Sequence, residues 1–271
     1  MSFKRVESLP LTDKCHHYED ISEVPWDLQK YYQQRNSIFT DYDYYPVHLT
    51  DDAWFGVTPE PIANQITADL LTISPPHKTT IVDLFGGVGG NAIAFARQLE
   101  GWDRVIAIEK DMDTLACAMH NAELYGVADR ITWVLGDCFD FLAAYKDEKL
   151  KVRVDSELIL DKRTTTIFAS PPWGGVNYRD HDIFDLSLME PYNLEKLAKA
   201  CEGWEYSLYL PRTSDLRQIA KLAPGDKMIE VVQYCMEGAS KALVAYIPEK
   251  EDEEDEAEDD DDVEDGESTT G

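Results

Sequence analysis

The sequence lacks any run of about 18 or more apolar residues, the length needed to cross a membrane. Its first residues, Met1 to Lys14, also lack the apolar core of a signal peptide. The five cysteines are odd in number, scattered and nowhere spaced as Cys-x-x-Cys, which argues against a disulfide framework and against a zinc site. We therefore expect a protein of a reducing compartment that uses neither membrane nor metal.

A basic surplus is missing as well, since the net charge is −28. Residues 249–271, the acidic tail, hold 15 acidic residues and one lysine and so carry −14, half of the total. With few apolar residues to bury, this tail is predicted to be disordered, and it either solubilises the protein or contacts a basic partner. The other −14 lies on residues 1–248. Such a body does not grip long nucleic acid through phosphates, so any nucleic-acid substrate must be held locally by a few residues.

The chain is long enough for one well-packed core with modest additions, at 271 residues and 44% hydrophobic content. We divide it into a poorly defined N-terminus (1–17), an aromatic-rich accessory helical segment (18–57), a main domain (58–248) and the acidic tail. Within the accessory segment, residues 26–38 are predicted to form a helix. Thr58 and Pro59 are typical of a helix start and precede apolar residues at helical spacing, namely Ile62, Ile66, Leu70 and Ile73.

The main domain begins with a pattern of strand, glycine loop, helix, strand. A first strand over 80–85 runs into the loop Gly86–Gly90, where glycines such as Gly87 allow a ligand to approach the backbone closely. Three predicted strands then carry a carboxylate at or near their ends, namely Asp83, Glu109 and Asp137. Because carboxyl ends of parallel strands meet at one edge of a sheet, these three acids are expected to converge on a nucleoside.

The glycine loop alone does not identify the nucleoside cofactor, because residues 87–92 also fit the G-x-G-x-x-A pattern of dinucleotide-binding proteins. The acids favour S-adenosylmethionine. Asp83 would repel a pyrophosphate but can bind the ammonium group of a methionine moiety. Glu109 can accept hydrogen bonds from both ribose hydroxyls, and Asp137 can accept one from the adenine amino group.

The stretch from Ser170 to Gly175, Ser-Pro-Pro-Trp-Gly-Gly, follows a short buried strand over 166–169. Two prolines end that strand and fix the backbone, so that the Ser170 hydroxyl and the Pro171 carbonyl present two acceptors beside the flat face of Trp173. Acceptors beside an aromatic face suit a planar amine. A strand-ending turn with a core tryptophan is the alternative interpretation.

Five more segments complete the predicted fold. A short helix over 193–200 precedes a fifth strand over 206–210, and a helix over 214–222 precedes two strands, 228–234 and 242–247, which suit an antiparallel hairpin at the sheet edge. Seven strands with a reversed final hairpin predict an α/β, Rossmann-like methyltransferase fold with a small N-terminal helical and aromatic extension.

Several motifs together resemble the trimethylguanosine synthase family, which methylates the guanine N2 of RNA caps. They are Asp83–Asn91, Ile106–Glu109, Asn121–Asp129 and above all Ser170–Tyr178, with upstream similarity over Lys30–Phe39 and Trp54–Glu60. The resemblance covers roughly residues 26 to 247. The sequence departs from the family at Glu109, where aspartate is usual, and at His48, where lysine is common.

The resemblance implies transfer of two methyl groups from S-adenosylmethionine to the 2-amino group of a 7-methylguanosine cap, giving the 2,2,7-trimethylguanosine cap of small nuclear and nucleolar RNAs. It implies catalytic roles for Ser170 and Pro171 at the amine and for Trp173 stacked on the base. It implies cap-phosphate contacts by Lys30, Asn121, Tyr178 and Arg212. For the cofactor it implies Asp83, Glu109 and Asp137, with Phe39 and Thr58 closing the pocket.

Further expectations concern partners and location. The resemblance implies a 7-methylguanosine-capped small RNA as substrate and a nuclear protein that also reaches the nucleolus and cytoplasm, and the acidic tail suggests basic tails of ribonucleoprotein components as partners. Other functions remain open at this point. A methyltransferase for RNA adenine or protein glutamine would share the Ser-Pro-Pro-Trp loop, a non-catalytic cap-binding protein could keep the fold, and a dehydrogenase would share the glycine loop.

Overall fold

The computed structural model describes residues 3–98, 100–146, 154–175 and 182–250. Its sheet strands are β1 Thr80–Asp83, β2 Arg104–Glu109, β3 Ile131–Leu135, β4 Thr165–Ala169, β5 Glu205–Pro211, β6 Glu230–Met236 and β7 Ala239–Ile247. The α-helices of the described residues are α1 Gln29–Tyr32, α2 Arg35–Ile38, α3 Ala53–Gly56, α4 Glu60–Ile73, α5 Gly90–Arg97, α6 Met112–Leu124, α7 Cys138–Lys146, α8 Leu194–Cys201 and α9 Leu216–Ala220.

The seven strands form one sheet in the order β3-β2-β1-β4-β5-β7-β6. Strands β1 to β5 pair in parallel, whereas β7 is antiparallel to both β5 and β6. The predicted seven-stranded α/β fold with an antiparallel terminal hairpin is therefore confirmed. The strand order reverses between β1 and β4, and ligands of open α/β sheets bind at the carboxyl ends beside such a reversal. Asp83 ends β1 and Ser170 follows β4 at this point.

The terminal hairpin is tighter than the sequence predicts. The turn consists of Glu237 and Gly238 alone, with φ of 53° and 75°, and β7 already begins at Ala239. Positive φ at both central residues is what a two-residue hairpin turn with the right twist requires. Strand β7 is therefore three residues longer than the predicted 242–247, and its last six residues are all buried.

Two predicted helix boundaries need correction. Residues 26–38 do not form one helix, because Gln34 adopts φ −103° and ψ 11° and separates the single-turn helices α1 and α2. Tyr32 is the one buried side chain of α1, and Ile38 is the one buried side chain of α2. The two turns therefore do not share the continuous apolar face that would favour one longer helix. Helix α4 has Pro59 rather than Thr58 as its N-cap. Its apolar positions Ile62, Ile66 and Leu70 are buried as predicted.

Buried apolar side chains cover both faces of the sheet in two clusters. One cluster extends into the accessory segment, whose Tyr32, Tyr42 and Trp54 pack edge to face or at a tilt. The other includes Phe141 and Leu142 of α7, a helix that the sequence analysis did not predict. None of the described helices is both long and apolar enough to span a membrane.

The N-terminal residues, for which the sequence predicts no defined structure, lie along the outer strand of the sheet. Phe3 is buried, and the Val6 amide donates to the Trp133 carbonyl of β3 at 2.9 Å. A Cβ on Gly136 would lie 2.8 Å from the Phe3 ring, so a glycine is needed at this contact. This segment covers an edge strand that would otherwise expose unpaired backbone groups.

Candidate active site

A cavity of about 270 Å³ opens at the carboxyl ends of β1, β2, β3 and β4. One wall comes from the accessory segment and from Thr58 before α4, and the others come mainly from the glycine loop, the strand ends and the Ser170–Pro172 turn. The lining residues are Thr50, Asp52, Ala53, Gly56, Val57, Thr58, Leu84 to Val88, Gly90, Asn91, Ile108 to Lys110, Thr114, Gly136 to Cys138, Ser170 to Pro172 and Tyr192. The structure thus brings the glycine loop, Glu109, Asp137 and the Ser-Pro-Pro turn to one site.

Asp83 is completely buried at the end of β1, directly before the lining residues Leu84 and Phe85. Its Oδ1 accepts from the Phe85 amide at 3.1 Å, whereas Oδ2 has no hydrogen-bond partner among the described residues. Burial, with the nearby Glu109 carboxylate, raises the pKa of Asp83 to about 7 although the Phe85 amide opposes the shift. A buried carboxylate with one unpartnered oxygen can accept from a cationic ligand group, and the ligand's charge would lower this pKa again.

The glycine loop is held in place by Glu109. Gly87 has φ of 52°, and its amide donates to Glu109 Oε2 at 3.0 Å. A Cβ on Gly90 would lie 3.3 Å from the Thr58 carbonyl oxygen and 3.3 Å from Val57 Cγ2. The loop and the accessory wall therefore approach each other as closely as glycine permits.

Glu109 is fixed by further backbone donors. The amides of Lys110 and Asp111 donate to its Oε1 at 2.8 and 2.9 Å. Burial raises the pKa of Glu109, although these amides and that of Gly87 oppose the shift. Both carboxylate oxygens face preorganised donors and keep further lone pairs, so they can also accept from hydroxyl groups of a ligand.

Asp137 is held in a similar way after β3. Its Oδ1 accepts from the amides of Phe139 and Asp140 at 2.8 and 3.2 Å at the start of α7. Of the three strand-end acids that are expected to converge on a nucleoside, Glu109 and Asp137 line the cavity.

Thr58 and Phe39 differ in their relation to the cavity. Thr58 lines it, and its Oγ1 accepts from Asn91 Nδ2 at 3.1 Å rather than capping α4. Phe39 is only 2% exposed and lies in the aromatic core, 6.0 Å from the Tyr125 ring centroid. It is absent from the cavity lining of the described residues. This position does not match the predicted role of Phe39 in closing the pocket, because core packing takes up its ring.

The Ser-Pro-Pro-Trp turn lies at the end of β4, as predicted. Trp173 is half-buried and stacks on Tyr209 with centroids 5.5 Å apart and planes 23° apart. Its Nε1 donates to the Tyr209 carbonyl at 3.2 Å. Ser170 and Pro171 line the cavity, whereas Trp173 is not among the described residues that line it. The turn therefore places two acceptors and an aromatic ring of fixed orientation together.

Of the residues predicted to contact cap phosphates, Lys30 and Arg212 are exposed, on α1 and after β5 respectively. The Arg212 guanidinium donates to the Ser240 carbonyl at 3.4 Å. Tyr178 lies outside the described residues. No described cluster of three or more histidine, cysteine, aspartate or glutamate side chains could hold a metal ion.

Asn121 is a correction. It is fully buried, and its amide makes three hydrogen bonds: Oδ1 accepts from the His48 amide at 2.9 Å, and Nδ2 donates to the His48 and Val88 carbonyls at 2.9 and 3.1 Å. The side chain has no free group for a phosphate. It ties the accessory segment to the glycine loop instead, a role that sequence similarity alone could not separate from substrate binding.

The sequence analysis missed Tyr192 and Lys110, which both line the cavity. The Lys110 ammonium donates to the Tyr192 hydroxyl at 3.2 Å. Lys110 directly follows Glu109 and could have been inspected for that reason, but Tyr192 lies on a connection without a pattern that points to a ligand.

Comparisons with known proteins agree on one kind of chemistry. The family model of RNA cap guanine-N2 methyltransferases matches residues 78–250. A trimethylguanosine synthase of Schizosaccharomyces pombe is 32% identical over 228 residues, covering 82% of this chain and 87% of the relative. One of Saccharomyces cerevisiae is 33% identical over 197 residues, covering 72% of this chain and 58% of the relative. A solved putative methyltransferase from Porphyromonas gingivalis has the same fold, with a TM-score of 0.54 at 16% identity over 85% of this chain and 52% of that one.

Proposed function

Because this chain belongs to the RNA cap guanine-N2 methyltransferase family, we propose that its cavity is the place where S-adenosylmethionine meets the 2-amino group of a 7-methylguanosine cap. The chain is an S-adenosylmethionine-dependent enzyme that methylates RNA caps. The observation that carries the assignment of the site is that the glycine loop, Glu109, Asp137 and the Ser170–Pro172 turn line one cavity. The product is the 2,2,7-trimethylguanosine cap, after two successive transfers.

The residues present fit the cofactor. The buried Asp83 Oδ2, which has no partner among the residues that the structure describes, suits the ammonium group of the methionine moiety. Glu109 suits the ribose hydroxyls and Asp137 the adenine amino group. A dinucleotide fits poorly, because the Asp83 carboxylate beside the glycine loop would repel its pyrophosphate. S-adenosylmethionine supplies, when bound, a methyl group activated by attachment to a sulfonium.

The protein's task is to aim the amine. The lone pair of an aromatic amine is delocalised into its ring and must be freed to attack the methyl group in line. Ser170 Oγ and the Pro171 carbonyl can accept hydrogen bonds from the N–H groups of the amine and so direct its lone pair. Positioning is therefore the main catalytic contribution. A strong general base is not required, since the methylated amine is acidic and loses its proton to water.

Trp173 provides selectivity for a base that already carries the 7-methyl group. A 7-methylguanine ring is positively charged, and stacking it on tryptophan gains about 0.5–2 kcal/mol of cation–π energy that plain guanine lacks. The contact with Tyr209 keeps the tryptophan ring in one orientation before the base arrives. Methylation at N7 is therefore expected to precede methylation at N2.

A few cations are enough for the phosphates of the cap. We assign Lys30, Tyr178 and Arg212 to the triphosphate bridge, and no longer Asn121. Lys30 and Arg212 are exposed and can donate charge-assisted hydrogen bonds to phosphate oxygens. A local contact of this kind is consistent with a strongly acidic chain of net charge −28, which is unsuited to following a long RNA backbone.

The remaining parts of the proposal concern the cell. The substrates are capped small nuclear and nucleolar RNAs, and the enzyme works in the nucleus and nucleolus with a share in the cytoplasm. The acidic tail recruits basic tails of ribonucleoprotein components. These assignments are supported by the family and by the charge of residues 249–271, and fractionation with crosslinking of the full chain and of a chain ending at Glu249 would test them.

Mass spectrometry of small cap analogues tests the reaction. The protein is incubated with S-adenosylmethionine and either 7-methylguanosine diphosphate or guanosine diphosphate. We expect mass gains of one and then two methyl groups on the methylated nucleotide and no gain on the plain one. Equal methylation of both nucleotides would overturn the role of Trp173 in recognising charge, and no gain on either would overturn the free cap as a sufficient substrate.

A further inference from the structure

Tyr192 lines the cofactor cavity although it comes from the connection before α8, far along the chain from the strand-end acids. Its hydroxyl accepts from Lys110, the residue after Glu109, at 3.2 Å. Its ring centroid lies 4.6 Å from that of Phe139, whose amide donates to Asp137. These contacts place Tyr192 over the ends of β2 and β3, at the side of the cavity where Glu109 and Asp137 lie.

The ring of Tyr192 is supported by other aromatic rings and by cations. Phe85, Phe139 and Tyr192 contact one another, with centroid distances between 4.6 and 6.4 Å. The Lys196 ammonium lies 4.4 Å from the Phe139 centroid and 4.6 Å from the Tyr192 centroid. Cations at such distances from aromatic centroids are attracted by the rings, so Lys196 and Lys110 restrict where the Tyr192 ring can move.

The acids at this side of the cavity leave one need of a nucleoside unmet. Glu109 and Asp137 can accept hydrogen bonds from hydroxyl and amino groups, which lie at the edges of a nucleoside. A purine also has two large flat faces, and aromatic side chains are the usual partners for them. Among the described residues that line the cavity, Tyr192 and Phe85 are the aromatic ones.

We infer that Tyr192 is a specificity-determining residue of the cofactor site, where its ring stacks on the adenine of S-adenosylmethionine, and that Lys110 and Lys196 are positioning residues that hold the ring. This inference rests on the proposed placement of the cofactor, with its nucleoside over Glu109 and Asp137. In this arrangement Asp137 recognises the amino group at the edge of the adenine, and Tyr192 recognises the flat face of the ring.

The test measures binding of S-adenosylhomocysteine by calorimetry to the full chain and to Tyr192→Leu and Tyr192→Phe. Loss of the aromatic ring should weaken binding about tenfold, since stacking of a base on an aromatic side chain changes affinity by that order. Tyr192→Phe keeps the ring and loses only the hydroxyl with its hydrogen bond to Lys110, so its affinity should fall by about threefold at most. The affinity for 7-methylguanosine diphosphate should be unchanged in both variants.

The positioning role of the lysines has its own readout. Lys110→Met and Lys196→Met should each weaken S-adenosylhomocysteine binding about threefold, and Lys110→Arg and Lys196→Arg should restore it. The cap analogue should bind all four variants equally. If the methionine variants lower the thermal unfolding midpoint and the affinities for both ligands together, the lysines only stabilise the fold and their positioning role is wrong.

Two outcomes would overturn the assignment of Tyr192, and Glu109→Ala separates them from failure of the site itself. If Glu109→Ala weakens S-adenosylhomocysteine binding and Tyr192→Leu does not, the adenine lies elsewhere in a correctly placed site. If Tyr192→Leu instead weakens a capped oligonucleotide more than 7-methylguanosine diphosphate, Tyr192 contacts RNA. Unchanged cofactor affinity in both variants would show that the proposed cofactor site is itself misplaced.

Discussion

The two halves of the active site are built in different ways. In the cofactor half, comprising Asp83, the glycine loop, Glu109 and Asp137, each carboxylate accepts from amides within the next three residues, at 2.8–3.2 Å. In the substrate half, comprising residues 170–175 and the exposed Lys30 and Arg212, Trp173 is fixed by the distant Tyr209. The carboxylates of the cofactor half are thus oriented mainly by their neighbours in sequence, with the Gly87–Glu109 hydrogen bond as an exception, whereas Trp173 of the substrate half is oriented by a remote segment.

The largest expected effect comes from removing the aromatic ring of the substrate half. Trp173→Ala should lower the rate of cap methylation about 100-fold, because stacking and its cation–π component are lost together. Calorimetry should find the affinity for S-adenosylhomocysteine almost unchanged, since the cofactor half does not depend on this ring.

Trp173→Phe is the matched control for this prediction. It keeps an aromatic face but loses the hydrogen bond to the Tyr209 carbonyl, so its rate should fall between those of the wild type and the alanine variant. An equal loss of cap methylation and of cofactor affinity in Trp173→Ala would show that the tryptophan is a core residue, and the distinction between the two halves would fail.

The local encoding of the cofactor half explains why the sequence predicts it well. Asp83, Glu109 and Asp137 follow apolar strand patterns, and parallel strands bring their carboxyl ends together whatever the loops do. The same reasoning located the Ser170–Trp173 turn after β4. It could not predict the environment of each acid, because the complete burial of Asp83, and the lack of a partner for its Oδ2 among the described residues, depend on how the loops close over β1.

The second prediction uses the pKa of Asp83 to sharpen the comparison from the cofactor side. Burial raises this pKa to about 7, whereas an unfolded aspartate has a pKa of about 3.9. A ligand ammonium needs the charged form, so binding of S-adenosylhomocysteine should strengthen about fivefold between about pH 6 and about pH 7. Asp83→Asn should bind about tenfold more weakly and lack this pH dependence.

Stability gives an independent check with the opposite sign. Because the folded protein binds an extra proton at Asp83 between about pH 4 and about pH 7, this group stabilises the ligand-free fold at low pH and the contribution is lost as pH rises through about 7. The difference in urea unfolding free energy between wild type and Asp83→Asn should therefore decrease over that range. A constant difference, or cofactor binding that weakens as pH rises, would contradict the assignment.

Other parts of the site were beyond sequence reasoning for a common reason. Tyr192 reaches the cavity, and Phe39 turns into the core, through packing between segments that are distant in sequence. The break at Gln34 between α1 and α2 likewise reflects how the accessory segment packs on the main domain. Local propensity and spacing describe single elements and contain little information about which side chains meet across them.

The third prediction concerns Asn121 and has the smallest expected effect on substrate binding. It tests whether this residue belongs to the cofactor half of the site and not to the substrate half. Family resemblance suggests that Asn121 contacts the cap. In the structure, however, its side-chain amide forms hydrogen bonds with the backbone of His48 and Val88, which leaves no group for a phosphate. Asn121→Ala removes the partners of one buried backbone group, the Val88 carbonyl, and of two partly buried ones on His48, so urea unfolding should show a loss of about 2–3 kcal/mol.

The effects of Asn121→Ala on ligand binding should also place this residue in the cofactor half. Since Val88 belongs to the glycine loop, the affinity of Asn121→Ala for S-adenosylhomocysteine should fall about threefold, while that for 7-methylguanosine diphosphate should change less than about twofold. A loss confined to the cap analogue, with stability intact, would return Asn121 to the substrate half. A loss of stability with weaker cofactor binding would instead mean that the accessory segment and the glycine loop are coupled through one buried amide, so that the locally encoded half of the site still depends on a tertiary contact for its shape.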